Sequence, residues 1–148
     1  MREPHSPSGF RFLEHTTDAE IEAYGRSVEE AFENAGKATE HTMVDISGIS
    51  EVTSKNIEAE GKDLESLLYS WLEALIALQD TEGLLFSKFS CKISMVKDDL
   101  FRLDAVASGE KFDPSRHEQK TAIKAPTYHG MKILQDGNGV TLRFLIDL

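Results

Sequence analysis

Two acidic residues stand out for what their oxygens could hold: Asp18, closing the polar run Glu14-His15-Thr16-Thr17-Asp18, and Asp147, directly before Leu148. Carboxylate oxygens are hard donors that suit calcium, magnesium or manganese, and an Asp-Leu end sets a side-chain carboxylate one residue from the α-carboxylate. The same residues equally fit a turn cap and a solvated strand end, positions that acidic side chains favour. His15, His117 and His129 could serve as acid-base groups, since imidazole titrates near pH ~6.5, and each suits a local loop hydrogen bond as well. Lys111, Arg116, Lys120 and Lys124 form a basic run able to meet RNA phosphate or an acidic partner, or simply water. Tyr128 beside His129 is too little for a base-stacking platform.

The missing motifs narrow the classes. The glycines build neither G-x-x-x-x-G-K-[ST] nor G-x-G-x-x-G, so no phosphate-cradling loop supports a nucleotide-binding enzyme. Neither H-E-x-x-H nor G-x-S-x-G occurs, which removes the common hydrolase signatures. A lone cysteine, Cys91, makes no internal disulfide and no multi-cysteine zinc site, as expected of a cytoplasmic protein. No apolar run of the kind found in an export leader, or as long as the ~18 residues of a membrane span, occurs here, so neither export nor membrane insertion is expected.

Those candidate groups must be positioned by 148 residues, enough for one domain. The charge of −10 opposes simple adhesion to phosphate backbones. It is uneven: residues 1–82 hold 18 acids against 6 bases, net −12, and residues 83–148 hold 8 against 10, net +2. Residues 1–9, with Pro4, Pro7 and Gly9, read as a flexible lead-in to a domain over 10–148.

Phe10 to Leu13 and the alternation from Ala19 to Tyr24 predict two strands flanking the Asp18 corner. Ser27 and Glu30 form a capping-box signature for a helix whose stripe is Val28, Ala31, Phe32, Ala35 and Ala38, with Glu29, Glu33, Lys37 and Glu40 on its other faces. Val52 to Glu60 predicts a strand. Asp63 caps a second helix through Leu64, Leu67, Leu68, Trp71, Leu72, Leu75 and Ile76, ending near Gly83. Phe89 to Met95 and Phe101 to Ala105 predict a hairpin about Asp98-Asp99, Gly109 to Ala125 a loop, and Tyr128 to Leu134 with Val140 to Leu148 a closing hairpin about Asp136-Gly137-Asn138-Gly139. Two helices among seven strands joined as hairpins predict an α+β domain, its helices packed on mainly antiparallel sheet.

Read together, Glu14-His15-Thr16-Thr17-Asp18, the Leu67 to Leu75 helix, Glu110-Lys111-Phe112-Asp113-Pro114-Ser115-Arg116-His117, Lys124-Ala125-Pro126-Thr127-Tyr128-His129 and the closing Ile146-Asp147-Leu148 resemble the archease family. The resemblance covers residues 10–148. It implies a non-enzymatic protein cofactor of the RtcB-type tRNA-splicing RNA ligase, one that promotes GTP-dependent guanylylation of the ligase and its multiple turnover, and meets tRNA only through that partner. It also implies a divalent metal held by Asp18, Asp147 and Leu148: calcium in the family, with magnesium or manganese open on the same oxygen chemistry. Lys124 carries over as a ligase contact. Two departures are Thr17, where the family commonly has Ala, and Pro126, which removes a backbone donor beside Lys124. The competing functions are a chaperone-like modulator of another RNA-processing or tRNA-modifying enzyme and a metal-dependent hydrolase working through Asp18 and Asp147.

Overall fold

The computed structural model describes residues 9–13 and 18–148. Glu14 to Thr17 and most of the expected lead-in lie outside these described residues, and Gly9, counted with the lead-in, already belongs to a strand. Element order is β1 (Gly9–Leu13), β2 (Asp18–Gly25), α1 (Val28–Met43), a 3-10 turn (Ile46–Gly48), β3 (Thr53–Gly61), α2 (Leu64–Glu82), β4 (Leu84–Lys97), β5 (Leu100–Lys111), β6 (Ala125–Asp136) and β7 (Gly139–Asp147). The strands form two antiparallel sheets, ordered β1-β2-β7-β6 and β3-β5-β4. This is the α+β architecture expected.

Both helix starts follow the local chemistry of the sequence. Ser27 Oγ accepts the Glu30 amide at 3.1 Å, while Glu30 Oε1 reaches past the cap residue to the Arg26 amide at 2.6 Å. At α2, Asp63 and Ser66 close a reciprocal box, and Gly83 ends the helix at φ 66°. Helix α2 buries Leu67, Leu68, Trp71, Leu72 and Leu75 completely, a wide apolar face that drives its docking. The Trp71 indole N–H donates to Phe32 O at 2.9 Å, tying the two helices together.

Helix α1 corrects one expectation. A single apolar stripe predicts a solvated opposite face, yet no α1 residue is exposed. The helix packs on β1, β2 and β7 of one sheet and on β4 of the other. Its polar side covers the free edge of β4: Glu33 Oε2 accepts the Cys91 amide at 2.8 Å and Glu40 Oε1 accepts the Phe86 amide at 3.1 Å. Covering an edge in this way removes unpaired strand amides from solvent and from other chains. Glu40, placed by the sequence on a face other than the apolar stripe, is fully buried.

The predicted loop from Gly109 to Ala125 is also shorter. β5 continues to Lys111 opposite a β4 that starts at Leu84, the added pairing accommodated by a bulge between Phe86 and Lys88. The remaining connection, residues 112–124, is pinned by the Val44 to Gln119 bridge and by the Lys120 amide on Met43 O at 2.8 Å. Asp99 turns the β4–β5 hairpin at φ 60°, a left-handed conformation that Asp tolerates better than most residues. Among the described residues, no helix is long and apolar enough to cross a membrane.

Candidate functional site

β2 and β7 lie side by side with Asp18 directly opposite Asp147. Residues directly opposite on neighbouring strands project to the same face with Cβ atoms about 4.5–5.5 Å apart. Core residues Ile21, Ala23, Leu142, Phe144 and Ile146 occupy the other face, so the two carboxylates stand on the outer side of the sheet. Asp147 is exposed, Asp18 and Leu148 half-buried, and Leu148 packs its side chain on the main core. Like charges set directly opposite destabilise a sheet. A hard cation taking oxygens from both would reverse that sign, and carboxylate oxygens are the donors such a cation prefers. Among the described residues no three His, Cys, Asp or Glu side chains converge as a metal cluster.

Lys124 joins this corner through its backbone: its amide donates to Asp147 O at 2.8 Å, and its side chain is exposed. Pro126 does not disturb the arrangement. It sits buried opposite Ile146 in β6, an edge strand of its sheet, where a missing amide is tolerated.

The same outer face carries a charge network that sequence reasoning missed. Arg11, Glu22 and Arg143 lie in register across β1, β2 and β7. The buried Glu22 carboxylate accepts from Arg11 Nε at 2.8 Å, Tyr24 OH at 2.6 Å and Arg143 Nε at 3.0 Å, and also from Arg143 Nη2. Burial alone would push this carboxyl up, but the Tyr24, Arg143 and Arg11 hydrogen bonds outweigh it and hold it at about 2. The Tyr24 hydroxyl is pushed up to about 12 by burial and by the adjacent Glu22 carboxylate. A carboxyl depressed on folding stabilises above its unfolded value near ~4.3, and that contribution fades as pH falls through its folded value. Glu22→Gln is therefore expected to flatten the acid limb of the melting-temperature profile between pH ~4.3 and about 2. An unaltered limb in a pH series of thermal melts would refute the assignment.

The basic run disperses. Arg116 forks both Nη atoms onto Glu110, each at 2.8 Å, and Glu110 Oε2 also accepts the Ser50 amide at 2.7 Å. Arg116 and the Ser50 amide hold the Glu110 carboxyl down at about 2. His117 is buried; its Nδ1 accepts the Asp113 amide at 2.8 Å, so Nε2 carries the ring hydrogen and donates to Glu110 at 2.9 Å. The motif Glu110 to His117 is thus a clip that holds the 112–124 connection against β5. Lys120 Nζ donates to His41 O at 2.9 Å. His41, His117, Arg116 and Lys120 line a cleft of about 510 Å³.

His15 lies outside the described residues. His129 is exposed in a bulge of β6 between Thr127 and Lys132, where Tyr128 stacks on Tyr69 with centroids 4.4 Å apart. Cys91 is buried, and burial pushes its thiol far above the usual range, which leaves it unreactive. Glu22 had no signal in the sequence, because Arg11 and Arg143 meet it only through the register of β1 and β7 on β2. His41 had none, because Lys120, which faces it, comes from the distant 112–124 connection.

The model of the archease protein family matches residues 10–148. The protein archease of Sulfurisphaera tokodaii is 45% identical over 139 residues, covering 94% of this chain and 98% of the relative. That of Pyrococcus furiosus is 50% identical over 126 residues, covering 84% and 88%. The solution structure of a Methanobacterium thermoautotrophicum protein superposes with a TM-score of 0.82 at 41% identity, covering 95% of this chain and 99% of that one.

Proposed function

Because the chain belongs to the archease family, we propose that it is a metal-binding protein cofactor of an RtcB-type RNA-splicing ligase, promoting the ligase's guanylylation from GTP and its multiple turnover. The observation that carries this reading is the direct pairing of Asp18 with Asp147 across β2 and β7. It brings together, from opposite ends of the chain, the residues that the archease resemblance assigns to the ion. Asp18, Asp147 and Leu148 hold a divalent cation on the outer face of the sheet, calcium as the resemblance suggests, with magnesium or manganese accepted by the same oxygens. When bound, that ion supplies a local positive charge able to polarise phosphate oxygens.

The rest of the work belongs to the protein. The Lys124 amide fixes the Asp147 carbonyl, so the loop carrying the exposed Lys124 side chain is anchored beside the carboxylate pair and presents an ammonium to the ligase. Reaction chemistry stays with the partner, in keeping with the missing phosphate-cradling loop, and tRNA is met only through the ligase. The acids concentrated before residue 83 complement a basic ligase surface and steer association, which should weaken as salt is raised.

The test is multiple-turnover guanylylation of a cognate ligase from GTP, with the wild-type chain and with Asp147→Ala. Stimulation is expected from the wild type and its loss from the variant, with the melting temperature retained. An Asp147→Ala chain that stimulates normally overturns the metal assignment. A wild-type chain that leaves turnover unchanged at every metal and stoichiometry overturns the ligase reading.

A further inference from the structure

The cleft between the end of α1 and the 112–124 connection contains an arrangement of donors that the carboxylate corner does not explain. His41 Nδ1 accepts the Ile46 amide at 3.1 Å, so its lone pair is committed and the ring hydrogen of an uncharged His41 resides on Nε2. Burial and the neighbouring Lys120 push His41 below the usual imidazole range, against a smaller opposing pull from Asp45, in keeping with that uncharged ring. Nε2 faces Lys120 Nζ at 3.4 Å. An ammonium has three donors and no acceptor; Lys120 Nζ gives one of them to the His41 backbone oxygen at 2.9 Å, and with Nε2–H opposite the others the ring and the ammonium cannot satisfy each other.

Two donors therefore converge on one point of a cleft of about 510 Å³, and what satisfies both is an acceptor placed between them. Among the described residues, three further charged side chains line the cleft. Asp45 Oδ1 accepts the Ser47 amide at 3.0 Å and the Ser47 hydroxyl at 2.8 Å, and lies 3.9 Å from His41 Nδ1, on the ring edge away from Lys120. Arg116 is forked onto Glu110 but keeps its half-exposed guanidinium on the cleft. Glu118 is exposed and also lines the cleft.

We propose that this cleft is an oxyanion site of the phosphate class, in which His41 Nε2–H and Lys120 Nζ share the oxygens of a phosphoryl group and Arg116 adds positive potential from one wall. A phosphoryl group presents three acceptor oxygens to donors arriving from different directions, which a single shared acceptor atom does not. The site lies at the same end of the molecule as the carboxylate pair: Lys120 is anchored to Met43 and Lys124 to Asp147, and four residues of extended chain span at most about 14 Å. The inference rests on the cleft alone and does not depend on the ligase reading.

The experiment uses the full chain, isotopically labelled, near pH 7, titrated with inorganic phosphate, with sodium acetate, and with sodium chloride at matched ionic strength. Saturable shifts of the His41 ring nitrogens and the Ile46 and Lys120 amides are expected with phosphate only. Lys120→Met should weaken the apparent affinity roughly tenfold or more, the loss of one charge-assisted hydrogen bond, and Lys120→Arg should largely restore it. Lys120 is exposed, so unchanged core amide shifts verify that the variants fold. No saturable shift, the same shift with chloride, or undiminished binding by Lys120→Met overturns the site. Equal binding of acetate overturns the phosphate class.

Discussion

Replacing Glu40 by Gln should leave the melting temperature almost unchanged near pH 4 and raise it progressively as the pH increases beyond that. Glu40 is wholly inaccessible. Its Oε1 accepts the Phe86 amide, and its Oε2 has no hydrogen-bond partner among the described residues. Burial pushes this carboxyl well above the usual range, and the single amide only partly opposes it; no charged side chain contributes. In the unfolded chain the same group ionises near pH ~4.3. Above that value the folded state binds the extra proton, so wild-type stability falls with rising pH by roughly 1.4 kcal/mol per unit, until the folded carboxyl itself ionises.

Gln keeps the carbonyl for Phe86 and never ionises, so the difference between the two chains is the titration of Glu40. For a domain of this size each kcal/mol moves the melting temperature by about 2–4 °C. Thermal melts followed by far-ultraviolet circular dichroism from pH 4 to 9 measure it directly. A difference that does not change with pH would mean that Glu40 is hydrated and that α1 is not sealed against β4.

Why the sequence hid this residue is a matter of geometry. A helical wheel sorts residues into a stripe and its complement, and places Glu29, Glu33, Lys37 and Glu40 together on the polar side. That sorting holds for a helix lying on one sheet. α1 lies between two, and its polar side meets a strand edge whose amides need acceptors. Local signals fared better because they depend on a few adjacent residues: Ser27 and Asp63 as caps, Gly83 as a stop, Asp98-Asp99 and Asp136 to Gly139 as hairpin corners. The candidate site divides in the same way. Spacing could nominate Asp18 and Asp147 by residue type, but their meeting depends on the register of two strands distant in the chain, which resemblance suggested and the β2–β7 ladder displays. The Glu110 to His117 segment was legible as a family motif but not as a clip on a strand, since a bulge in β4 extends the pairing past where a period-two pattern stops.

That bulge sets the second large effect, Gly109→Ala, expected to destabilise the chain by about 3 kcal/mol or more. Gly109 sits in the middle strand of its sheet, paired with Thr53 on one side and Phe86 on the other. A Cβ there would lie 1.8 Å from Leu85 O and 2.7 Å from Leu85 C and Phe86 Cα. All three are backbone atoms of β4, so no side chain can rotate aside and the strands must separate. Separation strains the bonds that flank it: the Val52 amide on Gly109 O at 3.0 Å, and the Glu110 carboxylate that gathers Ser50, Arg116 and His117. Gly48 provides the control, because a Cβ there meets nothing within 4 Å, and Gly48→Ala should stay within about 0.5 kcal/mol of wild type. Urea unfolding separates the outcomes: the Gly109→Ala midpoint falls while the slope is kept, and the Gly48→Ala midpoint holds. The two substitutions add the same methyl group, so their difference reads out how closely β5 presses on the β4 bulge, and equal midpoints would mean that the strands there are not in contact.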